Sequence, residues 1–502
     1  MKTFYITTPI YYVNDEPHIG HAYTTILADV ISRAQKIQGN DVFFLTGTDE
    51  HGQKIQEAAK KNNIDPQKHV DDYVLRFKNV WNKIDIDYND FIRTTEKRHT
   101  DRVKDILNYL YTKKEIYINE YEGLYSVSEE RFITEREVEE GNFREIKKLK
   151  EKNYFFKMSK YQKKLIDHIN NHPDFIKPES RKNEILGFLK KPLSDLCISR
   201  PKKRLSWGIE LPFDDNYVTY VWFDALLNYI SAIGWNKDKE KFNQYWPADY
   251  HLMAKDILTT HCVYWPTILM ACDIPLPKTI FAHGWWLIDD TKMSKSLGNV
   301  VKPLDLADQY GADSLRYYLM RNMVLGQDAS FTLDSFIKRY NADLANDYGN
   351  LVNRVLILIY KNFDQKIPEP GEFDTIDLDL ITKAKQIPNQ VIICYNSLKI
   401  HDAIELVMGL FRSVNKYLEL KSPWKEIKND SNNGSIAATT LYISAEILKI
   451  GSILLSPIIP KKSDQVLEYL SIKSKKDFSF GNLEPGTSIL LPKNLFQRID
   501  NK

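Results

Sequence analysis

The N-terminal stretch reads as a strand, a helix and a second strand. Residues 3–10 form a short β-rich run, residues 21–38 repeat apolar side chains at helical spacing and end at Gly39, and residues 41–46 hold a continuous apolar run. A continuous apolar strand is typical of a parallel sheet covered on both faces. The pattern therefore predicts an α/β fold with a Rossmann-like, doubly wound parallel sheet.

Polar residues fall where these two strands end. His18, Gly20 and His21 lie between the first strand and the helix, and Asp49 follows the second strand. Ligands of doubly wound sheets bind at this edge. Imidazole N–H groups at a helix N-terminus stabilise negative charge, and a glycine lets a nucleotide approach closely. The residues predict a site for an anionic ligand; the alternative is a pair of structural histidines.

A basic, glycine-containing loop lies far along the chain and reads Lys-Met-Ser-Lys-Ser-Leu-Gly-Asn, residues 292–299. Lys292 and Lys295, with Ser294 between them, could reach neighbouring phosphates from a mobile loop. The alternative is an ordinary solvated loop. A near-copy at 157–160 lacks the Ser-Leu-Gly-Asn continuation, and we interpret it as a chance resemblance.

A third group combines aromatic and polar side chains. His261 and Trp265 are four residues apart on a predicted helix and so share one face, and Asp256 lies near the start of that helix. With Trp222 and Tyr12 they could form an aromatic pocket closed by polar groups. Such a pocket suits a thioether, because sulfur packs well on aromatic rings. The alternative is ordinary core packing.

The chain of 502 residues is too long for one hydrophobic core. A charged, irregular stretch interrupts the α/β pattern, which resumes with a predicted strand at 217–223 and a helix at 224–233. Only helical periodicity follows, which predicts an all-α domain. The predicted parts are a first α/β half, an inserted connective domain, a second α/β half and a helical domain, at residues 1–115, 116–216, 217–325 and 326–502.

Composition narrows the class of protein. Charged residues are 27%, hydrophobic residues 43% and the net charge is +2, which is typical of a soluble globular chain and excludes a wholly basic nucleic-acid coat. No apolar run reaches membrane-spanning length, and a strand close to Met1 leaves no room for a targeting segment. The four cysteines form no CxxC pair, so reduced thiols in a cytoplasmic protein are expected.

The two motifs resemble the HIGH and KMSKS signatures of class I aminoacyl-tRNA synthetases, and the chain resembles the methionyl-tRNA synthetase family over essentially its full length. The matching words, in order, include PIYYVND, FLTGTDEHG, YVWFDA, AKDILTTHCVYWP, AHGWW and LGQDASFT. The resemblance implies a Rossmann-like catalytic domain followed by a helical anticodon-binding domain. It implies activation of L-methionine by ATP and Mg²⁺ to methionyl-adenylate, and then transfer to the 3′ end of tRNA(Met).

The resemblance also implies residue roles. The two histidines and two lysines of the signatures are implied to be catalytic, and the implied ATP-binding residues are His18, Gly20, His21, Lys292, Ser294 and Lys295. The implied methionine-binding residues are Ile10, Tyr12, Trp222 and His261 for the side chain, Asp49 for the ammonium group, and Asp256 and Trp265 for the pocket floor.

The helical domain resembles the family's elements for the CAU anticodon. Asn350 and Arg354 stand in one element, and Trp424 stands in a Pro-Trp pair in the other. Single-stranded bases are read by stacking on aromatic rings and by hydrogen bonds from such side chains. The alternative for Trp424 is a core residue at a helix end.

The chain departs from many relatives in two respects. Residues 122–141 hold no cysteine where relatives carry zinc-binding pairs, so no structural zinc is expected. The sequence stops soon after residue 499 without the appended dimerisation domain of some relatives, so a monomer is expected. The lack of a membrane-spanning apolar run predicts no membrane partner. Two alternative functions remain open. One is a class I synthetase for isoleucine, leucine, valine or cysteine, and the other is a catalytically silent tRNA-binding protein.

Overall fold

A parallel β-sheet forms the centre of the computed structural model, which describes residues 2–14, 16–126, 131–133, 138, 146–288, 291–292, 301–428 and 434–500. All of the pairings in this sheet are parallel, and the short strand Tyr11–Tyr12 also pairs with Thr48 and Asp49. From edge to edge the other strands are Asp90–Arg93, Asp41–Asp49, Thr3–Thr7, Tyr250–Ala254, Ile280–His283 and Ile176–Lys177.

Side chains of the central strands alternate between two apolar cores. Phe4 and Ile6 enter one core and Tyr5 the other, while Phe44 and Phe43 alternate in the same way on the neighbouring strand. The sheet is therefore covered on both faces, which explains the continuous apolar run in the sequence. The predicted doubly wound fold is confirmed.

Helices cover both faces of this sheet. The predicted helix at 21–38 spans Ile19–Ile37, and a short 3₁₀ turn at Lys255–Ile257 and a π-helical segment at Thr260–Tyr264 precede Trp265–Ala271. The other helices of the α/β part are Gln53–Lys61, Pro66–Lys83, Lys97–Thr112, Val221–Leu226, Asn228–Ser231, Lys239–Tyr245, Pro303–Tyr310 and Ala312–Asn322.

The stretch predicted as an insertion folds largely into antiparallel sheets. One short strand of this stretch, Ile176–Lys177, instead joins the central sheet beside Ile280 and Phe281. The antiparallel strands are Ile116–Ser126, Arg131–Ile133, Ile146–Phe156, Leu196–Cys197, Ser199–Pro201, Glu210–Leu211 and Asp214–Thr219. The helical segments are Met158–Tyr161, Gln162–Asn171 and Glu179–Phe188.

The predicted strand at 217–223 is wrong in its second half. The strand Asp214–Thr219 ends earlier, and a helix spans Val221–Leu226. The backbone N–H of Asp224 donates to the carbonyl of Tyr220 at 3.1 Å and closes the first helical turn. A short apolar run does not distinguish a strand from a buried helix, and here packing decides for the helix. Trp222 therefore projects from a helix.

In its described residues the C-terminal part is mostly helical, and a short strand stands near its start. That strand, Ala329–Phe331, pairs with Trp286–Ile288, which also pairs with Thr291–Lys292. The helical segments that follow are Leu333–Arg339, Tyr340–Gly349, Asn350–Asn362, Thr375–Asn396, Ile400–Lys421, Pro423–Lys428, Gly434–Leu455 and Pro460–Tyr469.

One C-terminal helix is as long and apolar as a membrane-spanning helix, although the sequence predicted no such segment. Residues Ile436–Leu455 are long and apolar enough to cross a membrane, with a mean hydropathy of 1.4. The most apolar stretch of this helix is entirely buried within the structure, as in the core helix of a soluble protein. We interpret the segment as the central core helix of the C-terminal bundle.

A buried ion pair within the α/β part also links that part to the helical part, through the hydrogen bonds of its arginine. Arg316 and Asp29 have fully buried side chains, and Nη2 of Arg316 lies 2.6 Å from Oδ2 of Asp29. The same guanidinium donates to the backbone carbonyls of Pro457 and Ile458, each at 2.8 Å. The first helix, which carries Asp29, is therefore held against the C-terminal helices by one satisfied cation.

Replacing Asp29 by Ala should lower the free energy of unfolding by about 3–5 kcal/mol, because Arg316 would remain buried without its anionic partner. Urea unfolding followed by circular dichroism measures the change. The control is Asp101→Ala, which removes the exposed pair with Lys97 and should leave the free energy of unfolding nearly unchanged. Equal effects of the two substitutions would contradict the assigned role of the buried pair.

Candidate active site

A cavity of about 410 Å³ opens where the central strands end. Strands Thr3–Thr7 and Tyr250–Ala254 are neighbours in the sheet, and their connections leave in opposite directions, which makes this the switch point where ligands of such sheets bind. Fourteen of the sixteen residues predicted or implied for binding lie within the described residues, and the cavity wall includes nine of them: Ile10, Tyr12, His18, Gly20, His21, Asp49, Trp222, Asp256 and His261.

His18 and His21 form a reciprocal cap at the start of the first helix. The backbone N–H of Gly20 donates to Nδ1 of His18 at 3.0 Å, and the backbone N–H of His18 donates to Nδ1 of His21 at 3.2 Å. The two rings stack with centroids 3.9 Å apart. Because each Nδ1 accepts a hydrogen bond, a neutral ring carries its own proton on Nε2. A Cβ on residue 20 would lie 2.9 Å from Cε1 of His18, so any larger residue there would displace the capping ring of His18.

The charge of His21 follows from its surroundings. Burial, and the nearby His18, hold the pKa of His21 well below its ordinary value of 6.5. At neutral pH the ring is therefore an uncharged hydrogen-bond donor. A helix N-terminus adds the partial positive charge of its backbone N–H groups. The two features together suit an anionic group such as a phosphate.

Segments on either side of the predicted phosphate-binding loop lie close to this helix start. The backbone N–H of Ile19 donates to the carbonyl of Val301 at 3.2 Å. Lys292 pairs with Leu287 of the neighbouring strand. That neighbouring strand begins at Trp286, which is a residue of the cavity wall. Ser294 and Lys295 lie outside the described residues, so their predicted roles stay predictions.

An aromatic and imidazole group forms another part of the wall. The rings of Trp222 and His261 lie nearly perpendicular, at 87°, with centroids 6.4 Å apart. Ile10 and Tyr12 line the same cavity. The structure therefore brings together four side chains that the resemblance implies for methionine. They form an apolar surface with one polar imidazole, which suits a thioether side chain.

Hydrogen bonds fix the orientation of His261. Its Nδ1 lies 2.9 Å from the carbonyl of Ile257, which can only accept, so Nδ1 carries the proton. Its Nε2 therefore accepts from the hydroxyl of Tyr229 at 2.8 Å. Burial lowers the pKa of His261 to about 4. Tyr229 also lines the cavity, and the sequence analysis missed it because it read this stretch only as a helix.

Trp265 lies one layer behind the wall. It is fully buried, its ring packs on that of Tyr229 at a centroid distance of 5.8 Å, and its Nε1 donates to Nε2 of His251 at 3.3 Å. Trp265 is not among the described residues that line the cavity. It can therefore shape the pocket floor only indirectly, by supporting Tyr229.

Two carboxylates border the cavity. Asp49 is the last residue of its strand and is only 6% exposed, and Asp256 lies in the 3₁₀ turn after the strand Tyr250–Ala254. The indole Nε1 of Trp285 donates to Oδ1 of Asp256 at 3.4 Å. A carboxylate at a strand end beside an aromatic wall can bind an ammonium group.

The residues implied for the anticodon come together in the helical part. The guanidinium of Arg354 lies over the ring of Trp424, 5.0 Å from its centroid, and contacts Oε1 of Glu419 at 2.6 Å. Asn350 is exposed one turn earlier on the helix of Arg354, and Trp424 is partly buried. The three form a surface where a base could stack and accept hydrogen bonds.

Within the described ranges, no group of three or more His, Cys, Asp or Glu side chains is arranged to hold a metal ion. The four cysteines are free thiols. The near-copy of the basic loop belongs to the fold of the inserted stretch, since Met158 is buried and the hydroxyl of Ser159 donates to Asp195 at 2.6 Å.

Comparisons with known proteins agree with this geometry. A family model described as tRNA synthetases class I (M) matches residues 4–143 and 140–356, and one described as the anticodon binding domain of methionyl tRNA ligase matches residues 367–502. The methionine–tRNA ligase of Caldanaerobacter subterraneus subsp. tengcongensis is 44% identical over 508 residues, covering 99% of this chain and 79% of the relative. That of Halalkalibacterium halodurans is 42% identical, also covering 99% and 79%.

Solved structures are similar over the whole chain. The Mycobacterium tuberculosis methionyl-tRNA synthetase in complex with methionyl-adenylate superposes with a TM-score of 0.95 at 38% identity, covering 99% of this chain and 100% of that chain. The apo form of the same protein gives a TM-score of 0.87 at 36% identity, covering 100% and 99%.

The low pKa of His261 predicts a pH-dependent stability. Between about pH 6.5 and 4 the unfolded imidazole binds a proton that the folded one, with its pKa near 4, does not, so lowering the pH through this window removes up to about 3 kcal/mol. The unfolding midpoint of His261→Gln should fall less steeply with pH than that of the parent. The partly exposed His401 supplies a control, His401→Gln, which should keep the parental slope. Identical slopes for the parent and His261→Gln would contradict the prediction.

Proposed function

The chain belongs to the class I methionyl-tRNA synthetases, and from this premise we propose how its residues carry out methionine–tRNA ligation. The enzyme activates L-methionine with ATP to methionyl-adenylate and pyrophosphate, and then transfers the methionyl group to the 3′ end of tRNA(Met). The observation that carries the proposal is a single cavity lined both by the capped histidine pair and by the Trp222–His261 wall.

Methionine binds first through complementary chemistry. Its thioether packs against Tyr12 and Trp222, with Ile10 and His261 completing the wall, and Tyr229 and Trp265 support His261 from behind. Its ammonium group pairs with Asp49. Asp256 borders the reacting groups. This arrangement leaves the methionine carboxylate directed toward the helix start.

ATP enters as its magnesium complex, so Mg²⁺ arrives as part of the substrate. The methionine carboxylate attacks the α-phosphorus in line, the new C–O–P linkage forms and pyrophosphate leaves. The Nε2–H groups of His18 and His21 donate to the α-phosphate as its negative charge increases, and Gly20 admits the nucleotide. Lys292, Ser294 and Lys295 bind the outer phosphates. No protein nucleophile takes part; positioning and charge stabilisation supply the rate.

The second step needs the tRNA. Asn350, Arg354 and Trp424 read the CAU anticodon in the helical domain, while the acceptor end reaches the cavity.

The domain limits at residues 115, 216 and 325 are proposed as well. We further propose a monomeric, cytoplasmic enzyme. We propose that it needs no structural zinc because its cysteines form no CxxC pair.

Methionine-dependent exchange of pyrophosphate into ATP, without added zinc, tests the first step. We expect exchange with methionine and none with isoleucine, leucine, valine or cysteine. Replacing Lys295 by Ala should slow exchange about 10²–10³-fold with little change in methionine affinity, because a cation acting on the phosphates is lost. Lys160→Ala, at the equivalent place in the near-copy, is the matched control and should leave exchange unchanged. Unimpaired exchange in Lys295→Ala would refute the role of that lysine.

Replacing Trp424 by Ala should lower the kcat/KM of tRNA charging about 10–100-fold, since a stacked base contributes about 1–3 kcal/mol. Pyrophosphate exchange, which needs no tRNA, should stay at the parental rate. Phe188→Ala removes another aromatic side chain, 45% exposed, from the inserted stretch and should affect neither reaction. Loss of both activities in Trp424→Ala would indicate a folding role instead.

A further inference from the structure

A buried carboxylate with two histidine partners lies behind the cavity wall. Asp224 is 1% exposed; its Oδ2 accepts from Nδ1 of His51 at 2.6 Å, and its Oδ1 accepts from Nε2 of His99 at 2.7 Å. Nδ1 of His99 in turn contacts Oγ of Ser231 at 2.7 Å. Within the described part of the cavity wall, none of these four residues appears. They form a polar network inside an otherwise apolar core.

This network joins the two chain segments that border the substrate. His51 stands two residues after Asp49, and Asp224 stands two residues after Trp222. Asp49 and Trp222 both line the cavity. The bond between His51 and Asp224 is a direct polar link between these segments, which are 173 residues apart in sequence.

Both histidine partners of Asp224 are themselves packed against other residues. The ring of His51 packs on Trp207 at a centroid distance of 5.6 Å, and the indole Nε1 of Trp207 donates to the carbonyl of Glu50 at 2.6 Å. His99 belongs to the helix Lys97–Thr112 and is fully buried. The carboxylate of Asp224 therefore has little freedom to move without breaking a bond.

The carboxylate of Asp224 is ionised in this environment. Burial alone would raise its pKa, but the charge of His51 and the hydrogen bonds from His51 and His99 hold the pKa below its ordinary value. Both oxygens accept a short N–H hydrogen bond, and such charge-assisted bonds are the strongest that side chains form. Loss of either donor would leave a buried negative charge partly unsatisfied.

We propose that Asp224, through His51, is a positioning residue that sets the separation of Asp49 from Trp222 and so determines affinity for methionine. The proposal rests on the proposed function, because it assigns the ammonium group to Asp49 and the side chain to the wall of Trp222. The nucleotide end of the cavity is formed by another segment, the helix start at His18. The network therefore affects methionine and leaves ATP largely untouched.

Paired substitutions of His51 test the link. His51→Ala removes the donor to Asp224, whereas His51→Asn retains an amide nitrogen near the place of Nδ1. We expect His51→Ala to raise both the dissociation constant of methionine, measured by isothermal titration calorimetry, and the methionine KM about tenfold, with less than about a threefold change in the ATP KM. His51→Asn should restore most of the methionine affinity. His172→Ala, at an exposed position of the inserted stretch, should match the parent.

A second variant covers the case in which His51→Ala does not fold. Asp224→Asn keeps the shape of the side chain but replaces one acceptor by an N–H₂ group, so one histidine loses its acceptor. It should weaken methionine binding selectively in the same way. Unchanged methionine affinity, an equal loss for methionine and ATP, or no rescue by His51→Asn would overturn the positioning role. Absence of methionine-dependent exchange in the parent would overturn the proposed function instead, because calorimetric binding does not require catalysis.

Discussion

The ion pair between Asp29 and Arg316, removed from solvent on both sides, is the interaction on which the arrangement of the site depends. Asp29 lies in the middle of the first helix, which carries His18 and His21 at its N-terminus. Near the C-terminal end of the same helix, Asn396 of the helical part exchanges hydrogen bonds with Gln35 and Gln38. One helix thus places the imidazoles that we propose to bind phosphate and also contacts the C-terminal helical part. A displacement of the C-terminal helical part would therefore move the first helix and its two histidines.

Electrostatics of the cavity follow from burial more than from formal charge. Burial lowers the pKa of His261 and His283 to about 4, and of His21 well below 6.5, so these imidazoles are neutral donors or acceptors at physiological pH. Neutral donors at a helix start can stabilise charge that develops during a reaction without a strong preference for any anion in the ground state. Positive charge toward the triphosphate can come from Lys54, which lines the cavity, and from Lys292 and Lys295, to which we assign the outer phosphates.

Much of the fold could be predicted from periodicity, and the exceptions have physical reasons. The first helix begins two residues earlier than expected because His18 caps it, a role that Ser, Thr, Asp or Asn usually fill. Residues 217–223 are predicted to form a strand, yet the chain turns into a helix after Tyr220. Ile176–Lys177 joins the central sheet from within the inserted stretch, and two residues are too short a run for any periodic signal.

The candidate site was predictable where residue type alone indicates chemistry, and it was not where geometry creates the chemistry. His18, His21 and Asp49 lie at strand ends, so their place follows from the topology. Asp224 carries no such signal, because a carboxylate in the first turn of a helix is common at exposed sites. Only the folded chain brings His51 and His99 to it, from 173 and 125 residues away. A buried charge is tolerated only where such partners satisfy it, and the segments that supply them are thereby constrained to fixed relative positions. Two of those segments carry cavity residues, so a requirement of burial becomes a requirement on the shape of the substrate pocket.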